Sequence, residues 1–433
     1  MRNLVWFSNT NLRVSDNHVL QQACAADKPV IAVYCFDPRH YAKADSGFKK
    51  TEKFRAKFLL ESVKNLQKNL HDLNISLFIF RQKPEDILPD LVKNQGISTI
   101  FLQKEWTREE REVIEKVTQN CGENVRFQSF FDQFLYHPDD ITYKDYSEIP
   151  KVFTQMRKRL EQHSVVRQPI EKPKKLPKVN IVENVSKIPT LNDLGFDEFK
   201  MDARTAFPFD GGEDAALARI KHYFWETKKL ASYKNTRNGL LGADYSSKLS
   251  AWLSNGSISA RTVYQQVKSF GQENGSNEST YWLTFELIWR DFFKYISLKH
   301  GDALFKKGGI LNKDYKWNRD KNTLDAWIAG NTKYDFVNAN MREIAKTGFM
   351  SDRGRQNVAS LWCKELNQDW RLGAAYFESM LIDYDVHSNW GNWMYNSGVG
   401  NDPRDRTFNI KMQAQRYDSN GAYQQRWLQE ELF

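Results

Sequence analysis

The pattern of apolar positions divides the chain into two unlike parts. In the first 130 residues, short apolar runs alternate with stretches of helical periodicity such as 51–72 and 84–94. The runs are L-V-W-F (4–7), V-I-A-V-Y-C-F (30–36), I-S-L-F-I-F (75–80) and I-S-T-I-F-L (97–102). Continuous apolar strands separated by helices are typical of a parallel sheet covered on both faces. We therefore predict an α/β domain with a Rossmann-like parallel sheet over residues 1–135, although the glycine-rich dinucleotide fingerprint is missing.

The periodicity changes twice after this region. Residues 136–205 are predicted to be a connector, with prolines at 169, 173, 177 and 189 and a basic excess between 163 and 190. From 206 to 433 the strand pattern disappears. The predicted helices span 213–231, 246–254, 259–271, 279–299, 322–329, 338–347, 353–366 and 370–384. Asp210, Ser259 and Ser351 are candidate N-caps, and we predict an all-helical second domain.

Charge and composition narrow the function only in part. The 433 residues carry a net charge of +9, which suits a polyanionic partner, although many basic proteins bind none. There are 13 tryptophans, 11 of them at or after Trp225, and indoles beside Lys and Arg suit either unstacked bases or a helical core. The four cysteines lie far apart and no run is long enough to span a membrane. We expect reduced thiols, no membrane anchor and a cytoplasmic location.

The densest cluster of reactive side chains lies between Trp370 and Tyr395, in W-R-L-G-A-A-Y-F-E-S-M-L-I-D-Y-D-V-H-S-N-W-G-N-W-M-Y. An apolar core does not need paired aspartates beside indoles, because buried charges must be paired or hydrogen-bonded, whereas a redox cofactor could use both. The segment resembles the flavin-binding region of the photolyase/cryptochrome flavoproteins, and its amino-acid sequence is most similar to that of the DASH cryptochromes. Further matching segments are T-R-N-G-L-L-G-A-D-Y-S-S-K-L-S (236–250), F-E-L-I-W-R-D-F-F (285–293), N-A-N-M-R-E (338–343), T-G-F-M-S-D-R-G-R-Q-N-V-A-S (347–360) and G-V-G-N-D-P-R-D-R-T-F-N-I (398–410).

The resemblance implies a bound FAD in the helical domain. Ser246, Ser247 and Ser250 precede or open a predicted helix, and hydroxyls and free N–H groups at a helix start suit the pyrophosphate of FAD. Without the resemblance, these serines would be ordinary helix caps. Asn389 matches the residue that faces flavin N5, where a neutral amide favours the fully reduced, anionic flavin; alone it would be a turn residue. Arg355 is expected to pair with Asp383, near the end of the predicted helix 370–384. The implied cofactor-binding residues are Tyr233, Arg237, Ser246, Ser247, Lys248, Leu249, Ser250, Arg355, Asp383, Tyr384, Asp385 and Asn389.

The resemblance also implies an electron relay and a substrate pocket. Trp393, Trp370 and Trp317 match the indoles that carry an electron to the photoexcited flavin, although buried indoles are otherwise core residues. Glu286 and Trp289, three positions apart on one helix face, match residues that hydrogen-bond to and stack on a damaged pyrimidine pair. The implied catalytic residues are Glu286, Asn389, Trp393, Trp370 and Trp317. The implied nucleic-acid contacts are Glu286, Trp289, Arg290, Asp352, Arg353, Tyr395, Gln413 and Lys248, of which the arginines could equally be structural.

The implied function is light-driven repair of cyclobutane pyrimidine dimers in DNA, preferentially single-stranded, where the cost of flipping is smallest. Two departures favour a rival, a blue-light photoreceptor that binds nucleic acid or a partner without repair. Asp352 stands where the family usually has Asn, close to Glu286, and T-K-Y-D-F-V-N-A (332–339) replaces the usual T-G-x-P-x-V-D-A. A third alternative is a flavin-storing or DNA-binding protein without photochemistry.

An antenna chromophore is a separate question. Members of the family often hold a folate (methenyltetrahydrofolate) through an acidic residue, and Glu109 in T-R-E-E-R is the nearest match. The alternative is an exposed glutamate at a helix start. We expect the protein to be a monomer.

Overall fold

The computed structural model describes residues 1–184 and 186–429, and its N-terminal part is built on one parallel sheet. The strands are β1 (Arg2–Phe7), β2 (Val30–Cys35), β3 (Leu77–Phe80), β4 (Ile97–Gln103) and β5 (Arg126–Phe130), in the order β3-β2-β1-β4-β5. The first four correspond to the predicted apolar runs. The sequence pattern misses β5, because this edge strand reads R-F-Q-S-F and is only partly buried.

Helices cover both faces of the sheet, as predicted. They are α1 (His18–Ala25), α2 (Lys53–Asp72), α3 (Pro84–Gln95) and α4 (Arg108–Cys121). Successive side chains of a strand point to opposite faces. Val5 and Phe7 of β1 pack with α1 and α2, whereas Leu4 and Trp6 pack with α3 and α4. The fold class of the first part is therefore confirmed.

The connector lies along the β3 edge of the sheet. The predicted connector, residues 136–205, contains the helix α5 (Phe153–His163), which the sequence pattern misses. After α5 it includes the buried Asn180, whose Oδ1 accepts from Val30 N at 2.8 Å. Asn180 Nδ2 donates to Asn74 O at 2.7 Å, and Ser186 Oγ accepts from Ile79 N at 3.0 Å. These bonds satisfy main-chain groups that would be open at the edge of the sheet. The lysines of the connector remain exposed.

Among its described residues, the second part consists of helices and the loops between them, with one isolated bridge between Asn318 and Gln368, which confirms the second half of the prediction. The helices are α6 (Glu213–Ile220), α7 (Tyr233–Thr236), α8 (Ser250–Ser254), α9 (Ala260–Asn274), α10 (Glu278–His300), α11 (Lys321–Ile328), α12 (Asp335–Thr347), α13 (Asp352–Ser360), α14 (Trp370–Met380), α15 (Val386–Ser397), α16 (Ile410–Tyr417) and α17 (Ala422–Leu428).

Several predicted helix ends need correction. Ser259 and Ser351 are N-caps whose side chains accept from main-chain N–H groups, as predicted. Asp210 is not a cap, because α6 begins at Glu213 after Gly212. The predicted helix 370–384 ends at Met380. The pattern also misses α15, α16 and α17; α15 reads V-H-S-N-W-G-N-W-M-Y-N-S, and its Asn, Ser and Gly residues are weak helix formers.

Buried ion pairs join the sheet to the helical part. Arg13 and Arg261 both contact Asp132, with N–O distances of 2.8 and 2.6 Å, and Arg261 also contacts Asp16 at 2.8 Å. All four residues are at most 4% exposed. Charges this deep persist only when they are paired. In the described residues, no helix has the length and apolar character that a membrane span needs.

Candidate functional site

A cavity that is partly open to solvent lies between α13, α14 and α15 and gathers residues that are distant in sequence. Apolar groups such as Phe377 and Leu381 share its lining with polar ones. The lining residues that the sequence analysis had selected are Asp352, Arg355, Asp383, Tyr384, Asp385, Asn389 and Trp393. The cavity is therefore where a redox cofactor would meet the aspartates, the amide and an indole.

Arg355 and Asp383 form one charged pair at this cavity. Arg355 Nη2 lies 2.8 and 2.9 Å from the two carboxylate oxygens of Asp383, and Arg355 Nε donates to Met350 O at 2.9 Å. The Asp383 side chain is only 4% exposed, so its charge needs this partner. The pair is the one expected from the resemblance.

Asp385 has a different environment. It is the N-cap of α15, and its Oδ1 accepts from Ser388 N at 2.8 Å. Its Oδ2 lies 3.1 Å from Lys294 Nζ. Burial favours a raised pKa for Asp385, but the Lys294 ammonium and further donors outweigh it, so the pKa lies well below its ordinary value. We expected both aspartates near the end of the preceding helix; instead Asp385 begins the next one, where the helix dipole favours a carboxylate.

Asn389 and Trp393 lie one turn apart on the same face of α15. Asn389 is buried, and its Nδ2 donates to Ala374 O of α14 at 3.0 Å. No described residue donates to its Oδ1, so this oxygen is available to a ligand. Trp393 is 2% exposed. Tyr384 stacks under the guanidinium of Arg55, at 4.6 Å.

The serine-rich segment 246–250 is mainly a loop. The helix predicted for 246–254 is wrong in its first part, because α8 begins at Ser250 and has five residues. Arg219 of α6 holds the loop in place, since its Nε donates to Ser247 O and its Nη2 to Ser246 O, both at 3.0 Å. The N–H groups of Ser246 and Ser247 donate to no acceptor among the described residues. Sequence analysis missed Arg219, because nothing in its local pattern marks it.

Lys248 in this loop is the clearest indication of an anionic ligand. It is 3% exposed, its Nζ has no hydrogen-bond partner among the described residues, and its φ of 61° is left-handed. Its ammonium faces the rings of Tyr245 and Phe349, 3.2 and 4.4 Å from their centroids. Burial lowers the pKa of Lys248. A buried cation without a partner is costly, so the residues present fit the pyrophosphate of FAD. Leu249 is buried and offers only its main chain.

Glu286 lies among other charges on α10. Its Oε1 is 2.7 Å from Arg237 Nη1, and Tyr233 is buried beside this pair. Burial raises the pKa of Glu286 to about 7, while Arg237 opposes the shift and Asp352 adds to it. Asp352 is the exposed first residue of α13, and Gln356 Nε2 donates to it at 3.0 Å. The structure thus brings Asp352 near Glu286, as the sequence analysis expected.

Trp289 and Tyr395 meet at right angles. Their ring centroids are 6.1 Å apart with an interplanar angle of 88°. One face of Trp289 is covered by Phe153, stacked at 3.7 Å and 9°. The Tyr395 hydroxyl accepts from Arg406 Nη2 at 3.1 Å. Because both rings are only half-buried, aromatic surface remains for a planar ligand.

Two of the predicted nucleic-acid contacts, Arg290 and Lys248, have surroundings in the structure that do not favour contact with DNA. Arg290 donates to Gln133 O and Leu253 O, at 2.6 and 2.9 Å, so it has the structural role that was the alternative. Lys248 is too buried to reach DNA. Arg353 is half-buried and donates to Asn238 Oδ1 at 3.1 Å, and Gln413 of α16 has a buried Oε1 without a partner among the described residues.

The three tryptophans of the predicted relay differ in burial. Trp393 and Trp370 are 2% and 0% exposed, and Trp317 is half-buried. Gly373 allows the Trp393 indole to pack closely against α14, because a Cβ at position 373 would lie 2.2 Å from Trp393 Cη2. Trp370 begins α14 and donates from Nε1 to Lys307 O at 3.0 Å. The set therefore extends from the cavity to a position with partial solvent access.

Glu109 lies in the first turn of α4, is exposed and forms an ion pair with Lys50. This geometry fits the alternative of an exposed glutamate at a helix start. Its role in holding a folate stays a prediction.

The architecture and the cavity together define a two-domain protein built to enclose a flavin. Residues 3–177 match the DNA photolyase family, and residues 282–431 match the FAD binding domain of DNA photolyase. The Cryptochrome DASH proteins of Gloeobacter violaceus and Danio rerio are 48% and 46% identical to this chain; each match covers 99% of it, and 85% and 83% of the relative.

Solved structures agree with these matches. The crystal structure of the Synechocystis sp. cryptochrome has a TM-score of 0.94 at 44% identity, covering 99% of this chain and 88% of that one. A bacterial class III photolyase from Agrobacterium tumefaciens has a TM-score of 0.82 at 26% identity, covering 99% and 86%. The chain therefore belongs to the photolyase/cryptochrome family of FAD-binding flavoproteins, among the DASH cryptochromes.

Proposed function

We propose that the protein uses blue light to repair cyclobutane pyrimidine dimers, preferentially in single-stranded DNA. When bound and excited, reduced FAD supplies the electron that opens the dimer. The observation that carries the proposal is the chemistry around Glu286, whose pKa is raised to about 7 beside the half-buried rings of Trp289 and Tyr395. A neutral carboxyl can donate a hydrogen bond to a pyrimidine carbonyl, and the rings can stack on the bases.

Within this proposal, the chain holds the cofactor at two ends. Asp383, Asp385 and Asn389 bind the ring, and the loop 246–250 with Lys248 binds the phosphates. Trp317, Trp370 and Trp393 resupply the electron, and the division into residues 1–135, 136–205 and 206–433 separates an antenna domain, a connector and the FAD-binding domain.

The preference for single strands follows from the stacking surface. One face of Trp289 is already covered by Phe153, and Tyr395 offers a smaller ring than an indole. Less stacking is then available to compensate for extracting a paired dimer from a duplex.

The direct test is a blue-light repair assay on one dimer-containing oligonucleotide, presented as a single strand and as a duplex. We expect light-dependent repair that is faster in the single strand and is lost in Glu286→Ala. Protein that carries FAD but repairs neither substrate would contradict the proposal and favour the photoreceptor.

The photoreceptor remains the second candidate because of Asp352. Its carboxylate lines the cavity near Glu286, where a negative charge repels a phosphate-bearing ligand. The altered segment 332–339, in contrast, gives no structural support to the photoreceptor alternative. Asn338 Oδ1 accepts from Thr332 N and Oγ1, both at 2.7 Å, and so stabilises the turn before α12. Asn338 does not line the cavity.

A further inference from the structure

We infer that Lys294 is a positioning residue that holds the carboxylate of Asp385 at the flavin cavity, and that a hydrogen-bonded chain ties this lysine to the sheet domain. The inference rests on the proposed contact of Asp385 with the flavin, and it adds residues that the sequence analysis did not select.

The first observation is the burial of Lys294. It lies in the interior of α10 with 0% exposure, and its Nζ has two acceptors, Asp385 Oδ2 at 3.1 Å and Gln133 Oε1 at 2.9 Å. The other oxygen of Asp385 accepts from Ser388 N. With both oxygens bound, the carboxylate has one orientation, as the support of a ligand requires.

The series of hydrogen bonds that begins at Lys294 continues into the sheet domain. Gln133 Nε2 donates to Glu105 Oε2 at 2.9 Å, and Glu105 Oε1 accepts from Thr10 Oγ1 at 2.5 Å. A cation lies at one end of the Gln133 amide and a carboxylate at the other, so the amide can point only one way. Glu105 follows β4 and Gln133 follows β5, so the carboxyl ends of two parallel strands support the flavin site.

A second contact clamps α10 against α15 beside the ion pair. Trp106 Nε1 donates to Ser297 Oγ at 2.6 Å, and Ser297 Oγ lies 2.7 Å from His387 Nδ1. The Trp106 indole stacks on the His387 ring at 4.5 Å and 13°. The spacing between Lys294 and Asp385 is therefore set by the sheet domain as well.

Among the described residues, no other cation is placed to replace Lys294. The charged or titratable groups facing Asp385 are Lys294 and Arg290 from α10 and His387 from its own helix, with Glu105 one amide further away. Arg290 is committed to two carbonyls. Burial lowers the pKa of His387, so that ring is neutral. Without the ammonium, the carboxylate would be buried beside no free cation and would take up a proton at neutral pH.

The test measures FAD affinity of the purified apoprotein as a function of pH, from about pH 5.5 to 9, by the quenching of flavin fluorescence. We expect Lys294→Met to bind FAD about 10–100-fold more weakly at the acidic end and to recover as Asp385 ionises with rising pH. Wild type and Lys294→Arg should show no such recovery. Lys299→Met is the matched control, because Lys299 lies on the same helix and donates to Ile149 O instead.

The outcomes separate this inference from the proposed function. If Asp385→Asn binds FAD as wild type does, the proposed flavin contact of Asp385 is wrong. If Asp385→Asn weakens binding but Lys294→Met does not, or weakens it equally at every pH, Lys294 is not a positioning residue. Should Lys294→Met fail to fold, the double variant Lys294→Met/Asp385→Asn removes both buried charges and should match Asp385→Asn. A pH-dependent recovery in that double variant would overturn the inference.

Discussion

Two carboxyl groups of this protein, the buried Asp385 and the half-buried Glu286, have pKa values shifted in opposite directions by their surroundings. Burial favours a raised pKa for both Asp385 and Glu286. The Lys294 ammonium and the helix start reverse that effect for Asp385. For Glu286, burial outweighs the opposing effect of Arg237, and the nearby Asp352 adds to burial, so the pKa is raised to about 7. One site thus contains a carboxylate that accepts hydrogen bonds and a carboxyl group that can donate one.

If the proposed repair uses the proton of Glu286, the raised pKa of this residue should make repair pH-dependent. The protonated form is present below about pH 7 and is lost as the pH rises through that value. If the carboxyl donates to the dimer, the yield of repair per absorbed photon should fall over the same range, with the flavin kept reduced. Glu286→Gln, whose amide donates at every pH, should give a flat profile. A flat profile in wild type would show that the proton of Glu286 is not used.

Asp352→Asn should strengthen substrate binding and move the pH profile. Removing an exposed charge near the pocket should tighten binding of a dimer-containing oligonucleotide about two- to fivefold. It also removes a cause of the raised pKa of Glu286, so the loss of repair should begin at lower pH. Asp335→Asn is a suitable control, because Asp335 is exposed in the first turn of α12 and does not line the cavity. Unchanged affinity and an unchanged profile would mean that Asp352 does not affect the pocket.

At the scale of elements, strong patterns were predictable and weak ones were not. The apolar runs of β1 to β4 and the helical periodicity of α10 identify those elements directly. β5 is a partly exposed edge strand, and α15 is rich in Asn, Ser and Gly, so packing rather than local preference decides their structure.

The candidate site shows the same limit. Arg355 and Asp383 could be paired from the resemblance. Lys294 could not, because it lies 91 residues from Asp385 and is only one of several charged residues in α10.

Trp393→Phe tests the proposed relay, of which Trp370 lies on α14 and Trp393 on α15. The phenyl ring cannot readily lose an electron, so photoreduction by an external donor should slow strongly while FAD stays bound. The smaller ring should cost about 1–3 kcal/mol of unfolding free energy. Trp362→Phe removes an equally buried indole outside the proposed relay and controls for that loss. Equal photoreduction rates for the two variants would remove Trp393 from the relay.

At the scale of the molecule, the two domains are joined through buried charges from segments far apart in the chain. Asp132 binds Arg13 of the sheet domain and Arg261 of α9, and Gln133 beside it contacts Lys294. No local sequence pattern indicates such a junction. The sequence therefore predicted the two domains but not the residues through which they contact each other.

Asp132→Asn should destabilise the whole protein. It weakens the pairing of two buried guanidinium groups, and breaking a buried pair costs about 3–5 kcal/mol. The thermal unfolding midpoint should fall clearly below that of Asp139→Asn, a change at an exposed position nearby. Equal midpoints would show that the junction contributes little to stability.

The most direct measurement is the absorption spectrum of the purified protein before and during blue-light irradiation with an electron donor. The account predicts about one FAD per chain, bleached by light as it is reduced, and little retained flavin in Asp383→Ala. A colourless protein that takes up no FAD on reconstitution, or a bound flavin that light does not reduce, would contradict it.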